Sequence, residues 1–337
     1  MTNRYLVTGA TGFVGSHLVD FLLAEEQECE IICTKRYHLS RTDKAESFFD
    51  KVTWVDINLT EEASVARLID EYKPKIVFHC AAESFVSPSW NHPKQYMRVN
   101  YDATVNLLEG IRTYSPESII HIPGSGEEYG EVSEIDLPIT ADTPLKPVNP
   151  YAVTKIAQDL IASVYFESFG VKVVRTRAFN HEGPRRENVF GISWYAFQLA
   201  CMELGLQEPV LTTGTTTDKR NFTHVKDMVK AYWLACQHCE YGQLYLVGNS
   251  SEEAVYTFSE AIEKLMGMST ATGVKLQVDQ KFVRPTSVPF LIADVSNFES
   301  ITGWTPDLSF DDILLDTLEY WRDVLKRNPA YAKVRAL

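Results

Sequence analysis

A chain of 337 residues, 45% of them apolar, with no low-complexity tract and no internal repeat, is long enough for one large α/β unit and a second lobe. Its formal net charge of −13 argues against a nucleic-acid or acidic-membrane partner, which would need clustered Lys and Arg to replace counterions. No apolar run reaches the roughly 20 residues that cross a bilayer, and the chain enters a strand at once, without a basic and apolar leader, so a cytoplasmic protein is expected.

In chain order, RYLVT (4–8) is a short apolar run ending in a glycine-rich turn, and GSHLVDFLLAEE then carries apolar side chains at helical spacing. Further buried, β-branched strands are predicted near 29–34, 52–56, 75–80, 118–122 and 171–176, with helices near 61–72, 93–113 and 151–169 between them. That alternation predicts an α/β fold with a doubly wound parallel sheet and helices on both faces. After residue 180 the rhythm changes: a helix at 192–205, a strand at 209–213, strand then helix in KRNFTHVKDMVKAYWLAC, a helix at 257–267, a strand at 274–278 and a final helix at about 309–326. The expected division is a dinucleotide-binding domain over 1–180, to which 220–247 returns at the sheet edge. A smaller C-terminal α/β substrate lobe then takes 181–219 and 248–337 and sits over the C-terminal strand ends, where open α/β sheets bind ligands.

VTGATGFVGSHL sets Gly9, Gly12 and Gly15 between the first strand and the first helix. Glycine permits the tight turn and close approach of backbone to a pyrophosphate, and the helix N-terminus adds amide donors and partial positive charge. The stretch Thr8 to Gly15, with Phe13 and Val14, is therefore a candidate dinucleotide site. NAD-preferring sites usually carry an acid after the second strand; here Lys35 and Arg36 stand there, which favours the 2′-phosphate of NADP over NAD. Asp56 and Ile57, ending the third strand, are placed toward the adenine. The HCAAES segment (79–84) runs Ala81 and Ala82 beside the nicotinamide ribose and brings Ser84 toward the substrate.

In NPYAVTKIAQ, Tyr151 and Lys155 are four apart and so share a helix face, where an ammonium in contact with a phenol would lower the phenol's proton affinity. Such a phenol can move a proton as a carbinol is oxidised or a carbonyl reduced. The GSGEEYG loop lies upstream and presents Ser125 and two adjacent acids, Glu127 and Glu128; an extended loop would point these two in different directions. Six cysteines (29, 33, 80, 201, 236, 239) read as reduced thiols. The CxxC at 236–239, even with His238, has no second ligand pair, so no metal site is expected.

Taken together, the glycine turn, PYAVTK, GSGEEYG, FNHEGPRRENVF, KRNFTHVKDMVKAYW and RPTSVPFLIADVSNFESITGWTP resemble the extended short-chain dehydrogenase/reductase family over nearly the whole chain. Within it the chain is most similar to the GDP-mannose 4,6-dehydratases and GDP-4-keto-6-deoxymannose reductases. The resemblance implies a Rossmann-type fold, an NADP cofactor, a nucleotide-diphosphate sugar as substrate and a Ser125, Tyr151, Lys155 catalytic set. Glu127, two positions after Ser125, would be the dehydratase acid/base. Asn180 would cap the sugar nucleotide's diphosphate, with Arg220 and Arg284 clamping it, and Arg185 and Arg186 meeting the nucleotide or another subunit. The family also implies a homodimer or homotetramer through the helices near 93–113 and 151–169. Trp90 is the one aromatic expected near the nicotinamide side; the other tryptophans are expected to pack.

Dehydration and 4-keto reduction both use these residues, and dehydration is preferred on HEGPRRENVF, although EEYG, NFTHVKD and RPTSVP favour the reductases. A nucleotide-sugar 4-epimerase would usually want an acid where Lys35 and Arg36 stand. A non-enzymatic NADP-binding sensor could dispense with Tyr151 or Lys155, and the chain has both.

Overall fold

The computed structural model describes residues 3–333 apart from 27, 39, 284–287 and 289. The strands β1 (Asn3–Thr8), β2 (Cys29–Lys35), β3 (Thr53–Asp56), β4 (Ile76–His79), β5 (Ile119–Ser125) and β6 (Lys172–Ala178) lie in the order β3-β2-β1-β4-β5-β6. The strand Leu244–Val247 adds beyond β6, and every pairing in this seven-stranded sheet is parallel. All four β4 residues are buried, as expected for a strand covered on both faces.

Alternation along β1 assigns its side chains to two cores. Tyr5 and Val7 pack with Leu18, Val19 and Leu22 of α1 (Phe13–Glu25) and with the helix Val225–His238. Leu6 faces the other way, toward α2 (Glu62–Tyr72) and two later helices. After β4 come α3 (Val86–Ser89), α4 (Pro93–Met97) and, through one π turn at Arg98–Asp102, α5 (Ala103–Tyr114). The single helix expected at 93–113 is thus continuous but bulged. The bulge seats the fully buried Asn100, whose Oδ1 accepts from Glu83 N at 2.8 Å and whose Nδ2 donates to Thr154 Oγ1 at 2.8 Å.

Helix α6 (Pro150–Phe169) starts on an Asn149 cap, Oδ1 accepting from Ala152 N at 2.8 Å, with Pro150 in the first turn, and stops at Gly170 in the left-handed region. The smaller lobe packs helix Gly191–Glu203 against Phe310–Arg327 around Phe197, Leu314, Leu318 and Trp321. Two stretches sit differently from the sequence expectation. Lys219–Asn221, at the start of the expected return, pairs instead with Val255–Thr257 and Phe290–Leu291 in a small sheet. Residues 296–304 leave the lobe, because Phe298 and Trp304 bury against Tyr245 and the core beneath the main sheet.

Candidate functional site

The order of strands reverses at β1 and β4, and the cleft opens at their C-terminal ends. Two structural demands explain the glycines there. Gly9 has φ +68, and a Cβ on it would lie 2.8 Å from Ala81 N; a Cβ on Gly15 would lie 2.3 Å from Gly9 O. The turn is closed by Gly12 N donating to Gly9 O at 2.9 Å, and α1 begins at the next residue, so its first amides face the cleft. Gly9, Gly12, Phe13, Val14 and Gly15 line it. Thr8 lies behind the turn: its Oγ1 accepts from Ala81 N at 3.1 Å and bonds His79 Nδ1 at 2.9 Å. The backbone cradle that a Cβ would fill fits a dinucleotide pyrophosphate.

The wider end of the cleft, about 930 Å³, is lined by Lys35, Arg36, Tyr37, Ser40 and Arg41 together with Ile57, Ala81, Ala82, Lys94 and Arg98. Five cations on one cavity stand out in a chain of charge −13. Lys35 Nζ pairs with Asp56, and Arg36, 59% exposed, lies 3.6 Å from Glu83. Asp56, expected at the adenine, is thus a partner of Lys35 and is not among the lining residues, whereas its neighbour Ile57 is.

The narrower end, about 420 Å³, joins the wider one through Gly9, Thr11, Gly12, Cys80 and Ala82. It gathers Ser84, Ser125, Glu127, Tyr151, Lys155, Asn180 and Arg186. Tyr151 and Ser125 share a hydrogen bond; the buried phenol is nonetheless pushed up, desolvation outweighing that bond and the charge of Arg186. Lys155 Nζ donates to Gln158, one turn on, and Gln158 Nε2 donates to Thr104 Oγ1 at 2.8 Å. The expected Tyr151–Lys155 contact and lowered phenol are therefore corrected: the ammonium is turned along the helix, and burial governs the phenol. Burial also lowers Lys155 to about 8, against the opposing pull of Glu128, Asp159 and Cys80.

The GSGEEYG loop is not extended but a 3-10 turn, Gly126–Tyr129, which separates its two acids. Glu127 enters the cleft, its Oε2 accepting from Asn149 Nδ2 at 2.9 Å. Glu128 is fully buried behind the turn, its Oε1 accepting from Ser125 N at 2.7 Å.

The arginines divide in a way their spacing does not reveal. Arg186 faces the cleft, its guanidinium 4.8 Å over the Phe13 ring and 3.8 Å over Phe190. Arg185, at φ +66, turns away to Asp20 at 2.6 Å and lines a separate cleft with His17 and Tyr320. Arg220 is 3% exposed, bonds Lys219 O at 2.9 Å and is not among the lining residues. Arg284 lies outside the described residues. Trp90, 43% exposed at the end of α3, does not line the cleft either. Among the described residues no group of three or more His, Cys, Asp or Glu is placed to hold a metal, and all six cysteines are free thiols.

Sequence reasoning missed Asn149, Gln158 and Tyr232. Asn149 had a signal, since Asn before Pro marks a helix cap, but its second role toward Glu127 depends on where the loop folds. Tyr232, fully buried against His121 with ring centroids 4.5 Å apart, comes from the returning helix and had none.

The chain is 29% identical over 324 residues to a GDP-6-deoxy-D-mannose reductase of Pseudomonas aeruginosa, covering 95% of this chain and 98% of that one. It is 28% identical over 347 residues to a GDP-mannose 4,6-dehydratase of Vibrio cholerae, covering 93% and 92%. A solved structure of RMD from Pseudomonas aeruginosa complexed with NADPH superposes with a TM-score of 0.79 at 27% identity, over 96% of this chain and all of that one. The profile of the GDP-mannose 4,6 dehydratase family matches residues 6–317, and with the glycine cradle, Tyr151, Lys155 and a loop carboxylate on one cleft, the chain belongs to that family.

Proposed function

We propose that the protein is an NADP-dependent nucleotide-sugar 4,6-dehydratase acting on a GDP-linked, manno-type sugar and releasing the 4-keto-6-deoxy sugar. The observation that carries this is Glu127: a carboxylate held at 2.9 Å by Asn149 on the cleft that Tyr151 and Ser125 also line. NADP, held by the glycine cradle with Lys35 and Arg36 toward its 2′-phosphate, would take a hydride from the sugar and return it. Tyr151, hydrogen-bonded to Ser125, is assigned the proton of the C4 hydroxyl; burial alone holds the phenol protonated, so it would act as base only where the positive charge of bound NADP⁺ favours the phenolate. Glu127 removes the C5 proton, acidified by the neighbouring C4 ketone, and gives it to the C6 hydroxyl as that leaves as water; return of the hydride to C6 would then be matched by a proton to C5, balancing the one Tyr151 took from the C4 hydroxyl. Ser84 and Asn180 line the same cavity and are assigned to substrate; Arg186 replaces Arg185 as the lining cation. Arg220 and Arg284 keep only the support of the resemblance.

Reduction of a 4-keto sugar is the second function supported, because the reductase relative is as similar as the dehydratases and the step needs Tyr151 but no base at C5. The deciding experiment incubates the protein with NADP⁺ and GDP-, dTDP-, UDP- and CDP-sugars and follows mass and nicotinamide absorbance. Loss of one water from a GDP-sugar without net absorbance change is expected, and Glu127→Gln should slow it about 10²–10⁴-fold while C4 oxidation persists. Stoichiometric NADPH consumption on a 4-keto sugar would establish the reductase instead.

The exposed Val153, Leu160 and Val164 on one face of α6 support self-association of the protein through α5 and α6. Six free thiols support a reducing, cytoplasmic setting; among the described residues no helix is long and apolar enough to cross a membrane.

A further inference from the structure

We propose that Glu128 is a positioning residue. With Arg177 and Asp159 it forms a buried ion chain that sets the Ser125–Glu127 turn and ends one helical turn from Lys155, to whose ammonium it lends negative charge. This rests on Ser125, Tyr151 and Lys155 being the catalytic set, which dehydration and reduction share.

The chain of contacts is continuous. Glu128 Oε1 accepts from Ser125 N at 2.7 Å, while Ser125 Oγ accepts from Glu127 N at 3.3 Å, so the two side chains brace both sides of the turn that presents Glu127. Gly124 leaves the room, since a Cβ there would lie 2.6 Å from Glu128 Oε1. The other oxygen lies 2.8 Å from Arg177 Nε, an ion pair without hydrogen-bond alignment. Arg177 donates to Asp159 Oδ2 at 2.9 Å and to Tyr129 OH at 2.8 Å, and its guanidinium sits 4.8 Å over the Tyr129 ring. Asp159 in turn takes both Nε and Nη2 of Arg175, which is tied to Gly242 O at 2.9 Å. Charge therefore runs from the β5 turn across β6 to α6, four residues past Lys155.

An apolar side chain at 128 could fill a fully buried position without desolvating a charge, and a buried pair stabilises little beyond such a replacement. What an apolar residue could not do is accept from Ser125 N or add a negative charge to that of Asp159, one helical turn from Lys155. The groups that act on Lys155 are Glu128 from the turn, Asp159 on its own helix and Cys80 after β4. His79 and His121, each lowered to about 3 by burial, are neutral beside it, and Gln158 takes its proton donor. Burial raises Glu128 itself to about 7 against the pull of Arg177. Above that pH its carboxylate is present and favours the ammonium, and its removal favours the amine.

Glu128→Gln tests this, since the amide keeps an oxygen for Ser125 N and loses the charge. The expected result is kcat lower by about tenfold with KM changed by less than about twofold, and the alkaline limb of the kcat profile moved about one pH unit toward acid. In the cofactor-free protein, the pH of half-maximal acetylation of Lys155 by acetic anhydride, read by peptide mass spectrometry, should fall by the same amount. Should Glu128→Gln not fold, the double variant Glu128→Met, Arg177→Met leaves Asp159 paired with Arg175 and carries the same readouts. A folded variant with wild-type labelling midpoint overturns the proposal. If wild-type protein neither dehydrates nor reduces a sugar nucleotide, the catalytic assignment fails, while the labelling experiment still decides the role of Glu128.

Discussion

Two adjacent acids on one loop end in opposite surroundings because a single 3-10 turn separates them. Glu127 keeps an amide donor in the cleft, and Glu128 keeps a guanidinium in the core. Lys155 is the residue whose titration reports on the cleft. Burial places it at about 8, so its ammonium is present below that pH and lost above it. The alkaline limb of kcat/KM should accordingly fall near pH 8 rather than above pH 10, where an exposed lysine would put it; a profile flat to pH 9.5 would exclude Lys155 from the rate. That Tyr151 and Lys155 share a helix was legible from their spacing. That the ammonium reaches Gln158 was not, because residues three and four apart compete for one side chain and only packing chooses between them.

Among the elements, α6 does two jobs. Its inner face carries Tyr151, Lys155 and Asp159, all buried, while Val153, Leu160 and Val164 are 45%, 53% and 49% exposed on the outer one. Leu160→Glu with Val164→Glu would put unpaired charge into any interface built there, at a cost of several kcal/mol and more than about 100-fold in association. Light scattering after gel filtration should then show the wild type as a dimer or tetramer and the variant as a monomer, with the fold unchanged. The stretch 183–190 shows what the sequence could not convey. Arg185 and Arg186 are neighbours in one motif, and a left-handed backbone at Arg185 sends one guanidinium to Asp20 on α1 and leaves the other between Phe13 and Phe190.

For the molecule as a whole, buried histidine decides how it responds to acid. Burial lowers His17, His79 and His121 to about 3 and His181 and His224 to about 4, all below the 6.5 of an unfolded chain. Between those values the unfolded state binds more protons, so stability falls as pH drops below about 6.5. Glu128, raised to about 7, and Glu182 and Asp227, both raised by burial, act in the opposite sense, but they are three groups against five. The thermal midpoint should therefore decline steadily from pH 6.5 to pH 5; a midpoint that rises over this interval would contradict the neutral burial of these rings.

The strands β1 to β6 and the glycine turn after β1 were readable because each depends on local rules. These are an apolar run covered on both faces and a glycine where a Cβ would strike Gly9 or Ala81. Tertiary structure alone decided which acid enters the cleft, which arginine lines it, and that residues 296–304 return to the first core. Those outcomes turn on contacts between side chains far apart in sequence, such as Glu128 with Arg177 and Arg185 with Asp20. Local spacing carries no information about them, because each partner is chosen only when the sheet and the lobe close on one another.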